Sequence, residues 1–77
     1  MTTETIHRVD ARGLACPMPI VRTAQAIATL GSGALLEVLA TDPGSKKDFV
    51  AWSRTTGHAL VEQGEEVGVF RFLLRRK

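Results

Sequence analysis

Seventy-seven residues with one cysteine and a net charge of +2 leave room for a single domain, residues 1–77, and for no disulfide within the chain. A hydrophobic fraction of 44% excludes a disordered chain, the apolar runs are far too short for a membrane span, and so weak a positive charge does not demand nucleic acid. A lone thiol suits a reducing compartment, and Met1-Thr2-Thr3-Glu4 has no basic region followed by an apolar one, so the expectation is a cytoplasmic protein without a signal peptide.

Residues 6–10 read as a short strand that Gly13 breaks. A helix is predicted over residues 17–30, because Ile20, Val21, Ala24, Ile27 and Ala28 repeat at the spacing of one apolar face. Arg22, Gln25 and Thr29 lie opposite, and Gly31-Ser32-Gly33 supplies a glycine for a left-handed cap. Residues 34–41 form the next strand, where Leu36, Val38 and Ala40 alternate with Leu35, Glu37 and Leu39. Glu37 marks the second face as the more exposed one. Leu35 and Leu39 on that face are then ordinary exposed leucines or part of a contact surface.

Thr41-Asp42-Pro43 is a helix start, with Thr41 or Asp42 as cap and Pro43 at the first helical position. This second helix extends to residue 56, and Gly57 follows it as a stop. Residues 58–63 and 67–74 read as two strands, joined through Gly64-Glu65-Glu66 as an antiparallel hairpin. The order is βαβαββ. Two helices in so short a chain cannot cover both faces of a sheet. The expected fold is therefore α+β: a two-layer sandwich with a four-stranded mixed sheet and both helices on one face.

Cys16 is the residue that carries chemistry. It sits in Gly13-Leu14-Ala15-Cys16-Pro17-Met18-Pro19, where the two prolines are compatible with a first helical turn. A helix N-terminus favours thiolate, and Arg12 and Arg22 flank the cysteine in a stretch without acidic residues, so the thiol pKa is expected to fall. Three readings stand: an inert buried cysteine, a metal ligand, or an exposed reactive thiol. No second cysteine is present and His7 and His58 lie far apart, so no metal and no cofactor are expected. A cysteine nucleophile for acyl transfer needs a positioned base, for which the same two histidines are the candidates. Dithiol exchange within the chain is excluded. A thiol in this setting carries a group or senses an oxidant.

The segment from Val9 to Val21 resembles the defining segment of the TusA/SirA-like sulfur carrier family, whose hallmark is Cys-Pro-x-Pro after an Asp-x-x-Gly-Leu stretch. Ala40-Thr41-Asp42-Pro43-Gly44-Ser45, Asp48, Trp52 and Gly57-His58 resemble that family too. The resemblance implies that Cys16 holds a sulfane sulfur as a persulfide, with Pro17, Pro19 and Gly13 shaping its turn. It also implies a co-substrate in a relay rather than a stand-alone enzyme. Donors would be cysteine desulfurases or rhodanese-like enzymes, and acceptors would include DsrE-like proteins. End uses would be tRNA thiolation, cofactor sulfuration or sulfur oxidation. A monomer without direct nucleic-acid binding is expected.

Asp10 either accepts turn N–H groups or tunes the thiol. Arg12, Arg22, Lys46, Lys47 and Arg54 form either a basic patch that steers partners or a solvated surface. Arg71, Arg75, Arg76 and Lys77 make a basic end that is solvated or contacts RNA or protein. The rival functions are an RNA- or protein-binding regulatory module and a regulator acting by cysteine oxidation.

Overall fold

The computed structural model describes residues 5–77, so the reading of Met1-Thr2-Thr3-Glu4 lies outside the described residues. The elements are β1 (Ile6–Ala11), α1 (Met18–Ile27), β2 (Leu35–Ala40), α2 (Ser45–Thr56), β3 (Ala59–Glu66) and β4 (Val69–Arg75). They form one four-stranded sheet in the order β1-β2-β4-β3, with β1 and β2 parallel and the other pairs antiparallel. The α+β class, the βαβαββ order and the mixed sheet are as expected from the sequence.

Alternate residues of the sheet meet both helices on one face. Ala11, Leu36, Val38, Ala40, Phe72 and Leu74 pack with Ile27 of α1 and Phe49 of α2 in one core. Phe49 is fully buried, and its ring stacks on Phe72 with centroids 4.4 Å apart. Trp52 meets Phe49 edge-on at 6.3 Å.

The buried face of α1 is rotated from the expected one. Pro19, Thr23 and Ile27 are buried, whereas Val21, Ala24 and Ala28 are exposed. Thr23 is tolerated in the core because its hydroxyl donates to the Pro19 carbonyl at 2.8 Å. The helix also ends earlier, at Ile27, and Thr29 and Leu30 donate to carbonyls three residues back in a tighter turn. The second helix starts later than expected, at Ser45. Asp42 folds back to accept the Gly44 N–H at 3.0 Å, which leaves Pro43 in the turn before the helix.

Glu37 lies on the helix-free face of the sheet, yet it is not exposed there. It is only 8% exposed, on a strand flanked by β1 and β4. Arg8 of β1 reaches it at 3.1 Å, and Arg71 of β4 bonds to it from the other side. Arg71 also bonds Glu62 of β3 at 2.7 Å. A charge ladder thus crosses all four strands, and Leu35 and Leu73 are buried alongside it. Arginine stems cover apolar surface while their heads stay paired, which a single-strand pattern does not reveal.

The hairpin turn is also displaced. Gly64, Glu65 and Glu66 are strand residues, and Glu66 pairs with Val69. The turn is Val67-Gly68, with φ of 50° and 76° at the two positions. Both central residues being left-handed is the type I′ pattern, whose twist matches the strands it joins. Val67 is 96% exposed, so nothing packs its side chain in exchange for a conformation that β-branched residues avoid. Val67→Asn should therefore stabilise the protein by about 1 kcal/mol. Chemical denaturation checks this, and an unchanged or lower midpoint would contradict the turn assignment.

The basic end is built into the fold. Arg76 continues the β2–β4 edge by exchanging backbone bonds with Ala34 and Gly33, both at 2.8 Å. Its side chain donates to the Ile27 carbonyl at the end of α1, and Arg75 donates to the Gly33 carbonyl. Cations at a helix C-terminus complement its exposed carbonyls. The Lys77 amide donates to His58 Nδ1 at 3.0 Å.

Candidate functional site

Cys16 lies at the end of the sheet where the parallel strands β1 and β2 finish side by side, with Ala11 paired to Ala40. Chain leaving β1 turns at once. Asp10 Oδ1 accepts the Arg12 N–H at 3.1 Å, and Leu14 N–H closes onto the Ala11 carbonyl. Gly13 stands in this turn at φ 80°, a conformation glycine adopts without steric cost. Its N–H donates to Thr41 Oγ1 at 2.9 Å, which ties the cysteine turn to the end of β2.

The arginine beside the turn faces away from the task first expected of it. Arg12 grips Asp10 with two bonds, Nε to Oδ1 at 2.9 Å and Nη2 to Oδ2 at 2.8 Å. That guanidinium, followed by the Arg12 amide, holds the Asp10 carboxyl at a pKa of about 2. Arg12 is thus committed to the turn.

Pro17 is the cap residue of α1 and Pro19 its second helical residue, fully buried; the Cys16–Pro17 bond is cis. Cys16 therefore precedes the cap rather than sitting in the first turn. The cysteine is exposed, and its Sγ–H donates to Asp48 Oδ2 in the first turn of α2 at 2.9 Å. This hydrogen bond is the main cause of a thiol pKa raised above the ordinary value, followed by desolvation and by the charges of Asp48 and Asp42. The expected lowering by Arg12, Arg22 and a helix end is overturned. The charges that raise it are those of Asp42 and Asp48, 26 and 32 positions along the chain, and they are negative. Asp48 was legible only as part of the family resemblance, because nothing local ties it to a cysteine 32 residues earlier.

Lys46, Lys47 and Arg54 line one shallow hollow on α2 with Val50 and Ala51. Arg22 is exposed on α1, a different element. Met18 and Val21, on the first turns of α1 after Cys16, are exposed apolar side chains. His7 pairs with Leu36 near the start of β1, four residues and roughly 13 Å of strand before Ala11. His58 precedes β3 at that same far end and accepts the Lys77 amide. Neither histidine reaches Cys16, so a cysteine–histidine pair for acyl transfer does not form. Among the described residues no three His, Cys, Asp or Glu side chains cluster for a metal, and no helix is long and apolar enough to cross a membrane.

A family model described as Sulfurtransferase TusA matches residues 7–76. YrkI of Bacillus subtilis is 53% identical over 68 residues, covering 88% of this chain and 91% of that protein. The sulfur carrier protein TusA of Allochromatium vinosum is 48% identical over 70 residues, covering 91% of this chain and 92% of its own length. The crystal structure of a SirA-like protein from Desulfitobacterium hafniense superposes with a TM-score of 0.79 at 27% identity, covering 92% of this chain and 96% of the other.

Proposed function

We propose, because this chain belongs to the TusA sulfurtransferase family of sulfur carriers, that Cys16 accepts a sulfane sulfur as a persulfide and passes it to an acceptor protein. The observation that carries the reading is the exposed Cys16 thiol on a turn pinned to both β1 and β2. An exposed sulfur on a fixed turn can enter a partner's site, and the exposed Met18 and Val21 beside it give that partner apolar surface to dock on.

In loading, Cys16 Sγ attacks the outer sulfur of a donor persulfide. A Cys16 S–S bond forms, the donor S–S bond breaks, and the electron pair leaves on the donor thiolate. The Cys16 proton ends on that thiolate, so a thiol and a persulfide exchange places and no oxidant is consumed. Transfer onward repeats the step with an acceptor thiol. The chain is a co-substrate of both exchanges. Donors of the cysteine desulfurase or rhodanese-like class and acceptors of the DsrE-like class suit this chemistry, within the cytoplasm. End uses are tRNA thiolation, cofactor sulfuration or sulfur oxidation. Residues 1–77 act as one domain and as a monomer.

The relay is tested by loading the protein with ³⁵S from a cysteine desulfurase and cysteine, desalting it, and adding a DsrE-like acceptor. Label should leave this chain and appear on the acceptor, in a form that dithiothreitol removes. Label that stays on this chain would overturn the relay.

Lys46, Lys47 and Arg54 share one surface and would steer the carrier to acidic donor surfaces. Loading rates should then fall several-fold between low salt and about 0.5 M salt, as screening shortens the reach of these charges. A salt-independent rate would contradict steering. Arg71, Arg75 and Arg76 each bond within the fold, which gives the basic end a structural role alongside the RNA-binding alternative.

A further inference from the structure

The contact between Cys16 and Asp48 joins two elements that only the fold brings together, the turn after β1 and the first turn of α2. Its chemistry favours one protonation state. A neutral thiol has a proton to give to Asp48 Oδ2 at 2.9 Å, whereas a thiolate would face the carboxylate oxygen with no proton between them. We propose that Asp48 is a positioning residue that holds the unloaded Cys16 as a protonated, weakly reactive thiol until a docked donor breaks the contact. The consequence for a carrier is protection. A lone exposed cysteine has no second thiol in the chain to rescue it from oxidation, and only its thiolate reacts quickly with stray electrophiles. This inference rests on the carrier reading of Cys16 for its purpose, though not for its chemistry.

The charged groups around the sulfur agree with it. Asp48 stands on α2 and Asp42 in the loop between β2 and α2, and both raise the thiol pKa. On the cysteine's own side, Arg12 is bound to Asp10 by both ends of its guanidinium. Lys46 and Lys47, neighbours of Asp48 on α2, and Arg22, farther along α1, are exposed.

The test is the pH profile of alkylation by iodoacetamide, followed by intact mass, for the wild type, Asp48→Asn, Asp48→Glu and Asp42→Asn. The midpoint of Asp48→Asn should move to lower pH. Its rate at pH 7 should rise roughly three- to four-fold for each unit of that move, because the gain in thiolate exceeds the loss of nucleophilicity. Asp48→Glu should restore a profile close to wild type. Asp42→Asn, which acts by charge alone, should shift the midpoint less and in the same direction. An Asp48→Asn profile that coincides with wild type in a folded protein overturns the proposal, as does a larger shift from Asp42→Asn. Should Asp48→Asn fail to fold, Asp48→Ser removes the same carboxylate and is read in the same way. Iodoacetamide needs no sulfur donor, so the two readings fail separately. A shifted profile in a protein that never loads sulfur supports the thiol control and overturns only the carrier. An unshifted profile in a protein that loads sulfur overturns only the thiol control.

Discussion

Replacing Cys16 with serine should abolish sulfur loading and transfer completely while changing stability by less than about 0.5 kcal/mol. The side chain is exposed and its removal opens no cavity in the core. A serine hydroxyl can still donate to Asp48, so the hydrogen bond that the thiol makes has a substitute. A hydroxyl cannot hold a sulfane sulfur, so nothing remains to carry it. Urea denaturation together with a ³⁵S-loading assay checks both halves. A variant that unfolds easily would mean that Cys16 is structural, and a variant that still takes up sulfur would place the carrier site elsewhere.

The largest effect on stability should come from Phe49→Ala, which is expected to cost about 3–5 kcal/mol. Phe49 is fully buried between the stacked Phe72 ring and the edge-on Trp52 ring, at the point where α2 meets the sheet. Removing the ring leaves a cavity that neither a strand nor a helix can close by a small shift. A domain of 77 residues has roughly 4–12 kcal/mol of total stability, so the variant should lose about a quarter of it or more. The same loss should loosen the start of α2, which carries Asp48, and with it the cysteine contact. A cost below about 1 kcal/mol in urea denaturation would contradict the packing described for α2.

The parts of this structure that were legible in the sequence are those written in neighbouring residues. The Gly-x-x-Cys-Pro-x-Pro turn and the Gly57 stop are local signals, and Thr41-Asp42-Pro43 marks the turn before α2 rather than its first residues, so the elements still fall in the right order. Alternation in residues 34–41 identified the core side of β2, since Leu36, Val38 and Ala40 are all buried. Phase within α1 was misread because its alanines weigh equally on any face, and because Pro19 and Thr23 do not look like core residues. A buried Pro19 needs the helix start to lie against the sheet, and a buried Thr23 needs the Pro19 carbonyl. Glu37 looked exposed for the same reason: its burial depends on Arg8 and Arg71, which arrive from two other strands. Val67 resembled a strand residue, and only the pairing of Glu66 with Val69 puts it in a turn.

At the site, the identity of the reactive residue was local and its electrostatics were not. Counting charges along the chain placed Arg12 and Arg22 near the thiol. In space Arg12 turns to Asp10, and the crossover from β2 to α2 brings Asp42 and Asp48 to the sulfur instead. The sign of the thiol pKa shift reverses accordingly. A carrier whose resting thiol is held neutral differs from the thiolate that the sequence suggested, and its reactivity depends on what a donor does to Asp48 on docking.

The most direct test is intact-mass analysis of the reduced protein after incubation with a cysteine desulfurase and cysteine, repeated with a rhodanese-like donor and thiosulfate. A persulfide on Cys16 should add about 32 Da, one sulfur atom, that dithiothreitol reverses and that Cys16→Ala never shows. An unchanged mass with every donor, in a protein whose Cys16 alkylates normally, would contradict the carrier reading.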